Sequence, residues 1–303
     1  MRILITGGAG FIGSSLAAHL LSRGHQVAAF DHSAAKAKRL LKGCVFIGGD
    51  VTDPAAVAAA IGGHDAVIHL AAMVSVPETM EHPELAEQVN VIGAINVLAA
   101  AKAANVKKVV LASSAAVYGE EPRTPTGEEE RPRPMSPYAI TKLAMEDYAQ
   151  LYALQGLPTC CLRLFNVYGP GQNPKSRYAA VIPTFISRAL KGETLTVYGD
   201  GEQTRDFVYV EDACRAFELA LAKGAGSINV ASGRSVTING LAKNIISLTK
   251  SKSTVVHAPA RPGDPRRSLA DVSKAKRELG FVATTPLAEG LKRTAEYFKK
   301  THS

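Results

Sequence analysis

The chain has no tryptophan, only four cysteines, and nowhere an unbroken run of the roughly 18 apolar residues that cross a bilayer. Each absence closes a class of function. Cys44, Cys160, Cys161 and Cys214 lack metal-site spacing, and the adjacent pair inside an apolar run reads as buried filler. Reduced thiols are therefore expected, with neither a metal centre nor a disulfide framework. After Arg2 only Ile3, Leu4 and Ile5 precede Thr6 and glycine, so no signal-peptide core is expected and the reading is a cytoplasmic protein with no membrane partner. A basic block is missing too. The formal charge is +8, but Lys and Arg are spread along the chain with no aromatic-interleaved patch, which argues against nucleic acid. An anionic small molecule accounts for the excess equally well. Repeats and low-complexity stretches are also lacking. Without tryptophan the near-ultraviolet absorbance rests mainly on nine tyrosines, so a bound adenine dinucleotide would stand out at shorter wavelength.

What is present is a large apolar fraction, 46% of 303 residues, enough for one large core or two unequal ones. Short apolar runs alternate with helical patterns: "ILIT" (3–6), 11–23, "QVAAF" (26–30), 34–41, "CVFIG" (44–48), 54–61 and "AVIHL" (66–70). Then come a long helix over 83–104, "KVVLAS" (108–113), a helix over 137–155 and "TCCLRLF" (159–165). This rhythm predicts α/β architecture, a doubly wound parallel (Rossmann) sheet with helices on both faces. Past residue 165 the rhythm breaks into Gly- and Pro-rich loops, with helices near 178–191, 237–250 and 287–300. A smaller substrate-binding C-terminal lobe over 166–303 is expected after a first domain over 1–165. Later runs over about 205–232, "FVYV" and "SINV", are expected to return to the first sheet.

The segment "GGAGFIG" (7–13) sits where the first strand must turn into the first helix. A turn there needs a residue without Cβ, a phosphate needs close approach of backbone N–H groups, and a helix start offers partial positive charge. Gly7, Gly10 and Gly13 together make a diphosphate cradle, in G-x-x-G-x-x-G spacing, a variant of the dinucleotide fingerprint. "QVAAFD" ends in Asp31, 18 residues beyond Gly13, where an acid would hold the adenosine ribose hydroxyls and repel a 2′-phosphate. NAD is therefore expected over NADP, although Lys36, Lys38 and Arg39 lie one turn further on.

A second constellation carries chemistry. Tyr138 and Lys142 are four apart and share a helix face, so the ammonium would lower the phenol's pKa and let it act as a general base. Ser114, at the end of a central strand, would bond the same substrate hydroxyl. Singly these are weak signals; together they fall on the side of the sheet where such folds bind ligands.

With these motifs in place the chain resembles the extended short-chain dehydrogenases/reductases of the nucleotide-sugar epimerase/dehydratase group, most of all the UDP-glucose (UDP-galactose) 4-epimerases. The resemblance runs over nearly the whole chain: "GGAGFIG", "GDVTD" (49–53), "HLAA" (69–72), "NVIGAINVL" (90–98), "SSAAVYG" (113–119), "PYAITK" (137–142), "RLFNVYGPGQ" (163–172), "VYGDGEQTRDFVYVED" (197–212) and "RPGD" (261–264). It implies NAD held by the glycine turn with Phe11 and Ile12, by Asp31, by Asp50 and Val51 near adenine, by Leu70, Ala71 and Ala72 along the cleft, and by Asn90 near the nicotinamide half. It implies Ser114, Tyr138 and Lys142 as the catalytic trio. For the UDP-sugar substrate it implies Asn166, Arg205 and Arg261 on the diphosphate, Asp264 on the uridine side, and Val181, Tyr209 and Ser268 as further contacts. Guanidinium forks suit diphosphate oxygens, an independent reason for the arginines. It also implies a homodimer through the helices near 83–104 and 137–155.

Two departures refine the expectation. Sugar 4,6-dehydratases carry an Asp-Glu pair where this chain has Ala115 and Ala116, so dehydration is disfavoured, and so is decarboxylation, which usually keeps the Glu. At 268, where the family places either a bulky Tyr or a small residue beside the sugar C2 substituent, serine leaves room for an N-acetyl group. The rivals are another nucleotide-sugar epimerase (for instance of a UDP-uronic acid), a reductase releasing its cofactor, and a non-catalytic dinucleotide-binding regulator on the same fold.

Overall fold

The computed structural model describes residues 1–120, 122–174, 179–260 and 265–301. Ile3 and Ile5 point to one side of β1 (Arg2–Thr6) and Leu4 to the other, and all three are buried. That is the signature of a strand covered on both faces. β1 pairs in parallel with β2 (Gln26–Asp31) and β4 (Ala66–His69). Adding β3 (Val45–Gly48), β5 (Lys108–Ser114), β6 (Thr159–Leu164) and β10 (Gly226–Val230) gives a seven-stranded all-parallel sheet in the order β10-β6-β5-β4-β1-β2-β3. This is the Rossmann-like doubly wound α/β sheet.

Two apolar cores flank it. Ile3, Ile5, Ile68 and Val110 pack on α1 (Phe11–Ser22) and α8 (Val210–Ala222). Leu4, Val67, Val109 and Leu111 pack on α2 (Pro54–Ile61), α5 (Gly93–Ala103) and α6 (Pro137–Leu154). The helices start where the sequence says they must. Asp53 caps α2 by accepting from the Ala55 and Ala56 amides, with Pro54 at the first position; Ser136 and Pro137 do the same for α6.

Three readings are corrected. The segment over 34–41 forms only a short 3-10 turn, Ala34–Arg39. The long helix over 83–104 is α4 (Pro83–Glu87), one wide turn of π-helix (Gln88–Ile92) and α5, preceded by α3 (Val76–Glu81), which periodicity did not reveal. "SINV" returns to the large sheet as β10, but "FVYV" does not: β9 (Thr204–Tyr209) pairs instead with β7 (Asn166–Tyr168) and β11 (Ser235–Thr237). That small sheet, the β8 (Leu195–Tyr198) and β12 (Val255–Ala258) pair, and α7 (Val181–Leu190), α9 (Ile238–Thr249) and α10 (Leu287–Thr301) lie outside the large sheet, and their apolar side chains share one buried cluster with Ile3 and Ile5. Among the described residues no helix is long and apolar enough to cross a membrane.

Candidate active site

A cleft of about 770 Å³ opens at the C-terminal ends of the parallel strands, the size of a cofactor site. At one end is the glycine turn. Gly7 adopts φ +67°, and a Cβ there would press on the Ala71 backbone. A Cβ on Gly13 would land on the carbonyl oxygen of Gly7, so that glycine lets helix and strand approach. Gly10 differs. Its φ is an ordinary −71°, and a Cβ would meet only the Gly7 oxygen at 3.1 Å. The protein's own packing leaves room over Gly10, on the cleft side. α1 begins there with no side-chain cap and no acid in its first turn, so its amides and partial positive charge remain for an anion. The donor set fits a dinucleotide diphosphate.

Asp31, almost fully buried at the end of β2, accepts from the Ala9 amide at 3.1 Å and the Ser33 amide at 3.0 Å. It ties β2 to the turn and lines the cleft, as do Phe11, Ile12, Asp50, Val51, Leu70, Ala71 and Ala72. Lys36 lines it too. Asn90 does not. The wide π turn directs its buried amide into the protein, where it accepts from the Met73 amide (2.7 Å) and donates to the Met73 carbonyl and to Thr141 Oγ1 (3.0 Å each). Asn90 therefore fastens the loop after β4 to α6 instead of facing the cofactor cleft.

At the other end Ser114, Tyr138 and Lys142 face the same cleft. Ser114 Oγ accepts from the Ala116 amide at 3.1 Å, which sets its rotamer, and it lies near enough to the Tyr138 phenol to favour its ionised form. Lys142 is buried, with Nζ donating to the Ala112 carbonyl at 2.7 Å and lying 6.0 Å from the Tyr138 ring centre. Burial brings the lysine down to about 8, against the opposing pull of Cys161 and Glu146. Burial also raises the Tyr138 phenol above its ordinary value, and Ser114 draws it part of the way back. The lowering expected from Lys142 is not found in the protein alone, where burial and Ser114 are what move the phenol. Under the cleft His69 is buried, paired through Nδ1 with Thr6 Oγ1 at 2.7 Å and with no partner at Nε2; burial, then the Lys142 charge, takes it down to about 3, so it is neutral.

The substrate set is more scattered. Asn166 Nδ2 donates to the Asp206 carbonyl (3.0 Å), and Arg205 Nη1 to the carbonyls of Thr204 and Pro265 (2.7 Å each). Val181 begins α7, and Ser268 is half-buried; neither lines the cleft. Tyr209 is corrected: it is 2% exposed, packed edge-on against Tyr168 under the Arg293 guanidinium, within the buried apolar cluster. Arg261 and Asp264 lie outside the described residues. Sequence reasoning missed Gln172, whose side-chain oxygen is buried in the cleft wall without a partner among the described residues, and Glu78 at the start of α3. Gln172 closes the quoted "YGPGQ" run; nothing in the sequence marked Glu78.

A parallel sheet with a glycine turn, an acid closing β2 and one cleft spanning both defines a dinucleotide-binding enzyme of the Rossmann type. The particular family follows from comparison. Residues 3–231 match the NAD dependent epimerase/dehydratase family, and the chain belongs to it. It is thus an NAD-dependent enzyme of the nucleotide-sugar epimerase/dehydratase group. It is 38% identical to the UDP-N-acetyl-alpha-D-glucosaminuronate decarboxylase of Bacillus cytotoxicus, over 99% of this chain and 98% of that one. The structure of a UDP-glucose 4-epimerase with UDP-glucose from Thermotoga maritima is similar at TM-score 0.96 and 39% identity, covering 100% of both chains. A UDP-N-acetylglucosamine 4-epimerase from Methanobrevibacter ruminantium, in complex with UDP-N-acetylmuramic acid, is similar at TM-score 0.92 and 38% identity, covering 99% of this chain and 98% of that one. Relatives at equal distance thus perform different reactions.

Proposed function

We propose that this protein is a UDP-hexose 4-epimerase, acting on UDP-glucose and UDP-galactose and also on the UDP-N-acetylhexosamines. The observation that carries the reading is the convergence of Ser114, Tyr138 and Lys142 on one cleft, with Ala115 and Ala116 directly after Ser114. NAD, which the glycine turn and Asp31 would hold, would supply the hydride acceptor and donor for C4. Tyr138 takes the proton of the sugar 4-hydroxyl as the C4 hydride leaves, and gives it back to the same oxygen when the 4-keto sugar has turned its other face. Ser114 donates to that oxygen, and Lys142 holds positive charge beneath the phenol, easing its ionisation. Elimination of water across C5 and C6 requires further acid–base groups, which two alanines cannot supply. The same argument disfavours decarboxylation despite the Bacillus relative.

Asn166, Arg205 and Arg261 are proposed on the substrate diphosphate, Val181 and Asp264 as further contacts, and Ser268 beside the sugar C2 substituent. Two copies are proposed to pair through α6 and the helices beside it, because Ile140, Tyr148, Leu151 and Leu154 form an exposed apolar stripe on α6.

The test is incubation of the purified protein, without added NAD, with UDP-galactose and separately with UDP-N-acetylglucosamine, following the anomeric protons by NMR. The C4 epimers are expected from both. No change with either, even after NAD is added, moves the function to another nucleotide sugar, with UDP-glucuronic acid tried next, or to a regulator.

A further inference from the structure

Tyr138, Lys142 and Glu146 follow one another at one-turn intervals on α6 and share the face turned to β5 and β6. Nothing in the proposed chemistry uses Glu146, yet it is among the most heavily bonded side chains in the protein. Its carboxylate, 6% exposed, accepts from Arg163 Nε at 3.0 Å and Nη2 at 2.7 Å, from Ser227 Oγ at 2.7 Å and from Ser113 Oγ. Arg163, equally buried, spends its third nitrogen on Tyr118 Oη at 3.0 Å. Ser113 is the neighbour of Ser114, and the residue before it, Ala112, receives the Lys142 ammonium. One helix face thus grips two consecutive residues of β5, Ala112 and Ser113, just before Ser114.

A buried ion pair is a poor device for stability alone, since a well-packed apolar pair of the same volume does as well or better. An apolar pair could not supply negative charge beside Lys142. The titratable groups facing that lysine are few. Tyr138 and Glu146 come from its own helix, Cys161 and Arg163 from β6, and His69 from β4. The Cys161 thiol is pushed well up by burial and stays neutral, and His69 is neutral as well. Glu146 is the one carboxylate in this set.

We propose that Glu146 is a positioning residue for the reaction. Held by Arg163, it supplies the counter-charge that keeps Lys142 protonated in its buried seat, and through Ser113 it fixes the strand end that carries Ser114. This rests on the catalytic role given above to Tyr138 and Lys142.

The experiment compares kcat against pH for wild type, Glu146→Gln, Glu146→Asp and the paired Glu146→Gln/Arg163→Met, with NAD affinity measured for each. The paired variant removes the buried Arg163 charge along with that of Glu146, so it keeps the test open if Glu146→Gln alone does not fold. The expected result is a basic limb that moves down by about one pH unit in the neutral variants, an activity loss about tenfold larger above the limb than below it. Glu146→Asp keeps the wild-type limb. A folded neutral variant that binds NAD normally and loses activity equally at every pH, or not at all, overturns the proposal and leaves the pair as structural. Lys142→Met separates the two readings: near-normal turnover there refutes the catalytic role of Lys142 itself. The same shift is readable without substrate. The pH at which Lys142 and Lys142→Met proteins diverge in unfolding free energy should be lower in the Glu146→Gln background, and an unchanged pH would refute the counter-charge.

Discussion

Lys142 Nζ is hydrogen-bonded to the carbonyl oxygen of Ala112 at 2.7 Å, so the ammonium is anchored to the strand and not to the phenol above it. It lies 6.0 Å from the Tyr138 ring centre, and the side chain that draws on the phenol is Ser114. Tyr138→Phe therefore removes the proton carrier without disturbing the anchor. Turnover should fall by about 10²–10⁴-fold, the usual worth of a positioned acid–base group, with NAD affinity within a few-fold of wild type. Near-normal turnover would reassign the base.

The glycines make separable predictions. Gly13→Ala forces a Cβ onto the Gly7 carbonyl and should lower the melting temperature together with NAD binding. Gly10→Ala meets only the Gly7 oxygen at 3.1 Å, a tight contact that a shift of a few tenths of an ångström relieves, so it should cost less stability than Gly13→Ala and lose NAD affinity by at least an order of magnitude if phosphate occupies the room over residue 10. Calorimetric titration beside a thermal melt reads both. Undiminished NAD affinity in Gly10→Ala would place the diphosphate elsewhere.

His69 predicts an acid weakness. Its folded pKa is depressed to about 3, below the 6.5 of an unfolded histidine. As pH falls through 6.5 the unfolded chain takes a proton that the native protein refuses, so native stability drops. At pH 4.5 the loss from this residue should be on the order of 2–3 kcal/mol. His69→Asn should lose less stability than wild type between pH 7 and pH 4.5 in urea titrations; parallel curves would show that His69 is protonated on some other terms.

The α6 stripe predicts the assembly state. Leu151→Glu combined with Leu154→Glu should convert a dimer into a monomer by light scattering, with the fold intact by circular dichroism, because a carboxylate is costly inside an apolar interface. A wild-type protein already monomeric at micromolar concentration would rule out the pairing.

The first half of the fold was legible because two-sided burial writes itself as apolar runs: Ile3 to Ile5 and Val109 to Leu111 need no partner to be recognised as central strands. The glycine turn and the Tyr138–Lys142 spacing were legible for a similar reason, each being a local rule. What failed was whatever depends on a distant partner. The "FVYV" run is as apolar as "SINV", and only the neighbours available to it decide that β9 joins β7 and β11. Asn90 was placed at the cofactor by family resemblance, and the bonds that take its amide to Met73 and Thr141 depend on residues remote from its own motif. Tyr209 is a phenol in a family motif, and burial against Tyr168 is invisible in its own segment. The Glu146–Arg163 pair spans two elements, and helical spacing from Lys142 was its single sequence signal.

β10 closes the edge of the large sheet beside β6, yet it is encoded after β7, α7, β8, β9 and α8. On a ribosome the nascent sheet must wait, with the rim of β6 bare, until Val230 has emerged. A stalled or prematurely ended chain would therefore present an open, hydrogen-bond-hungry strand, a natural target for chaperones and a seed for clumping.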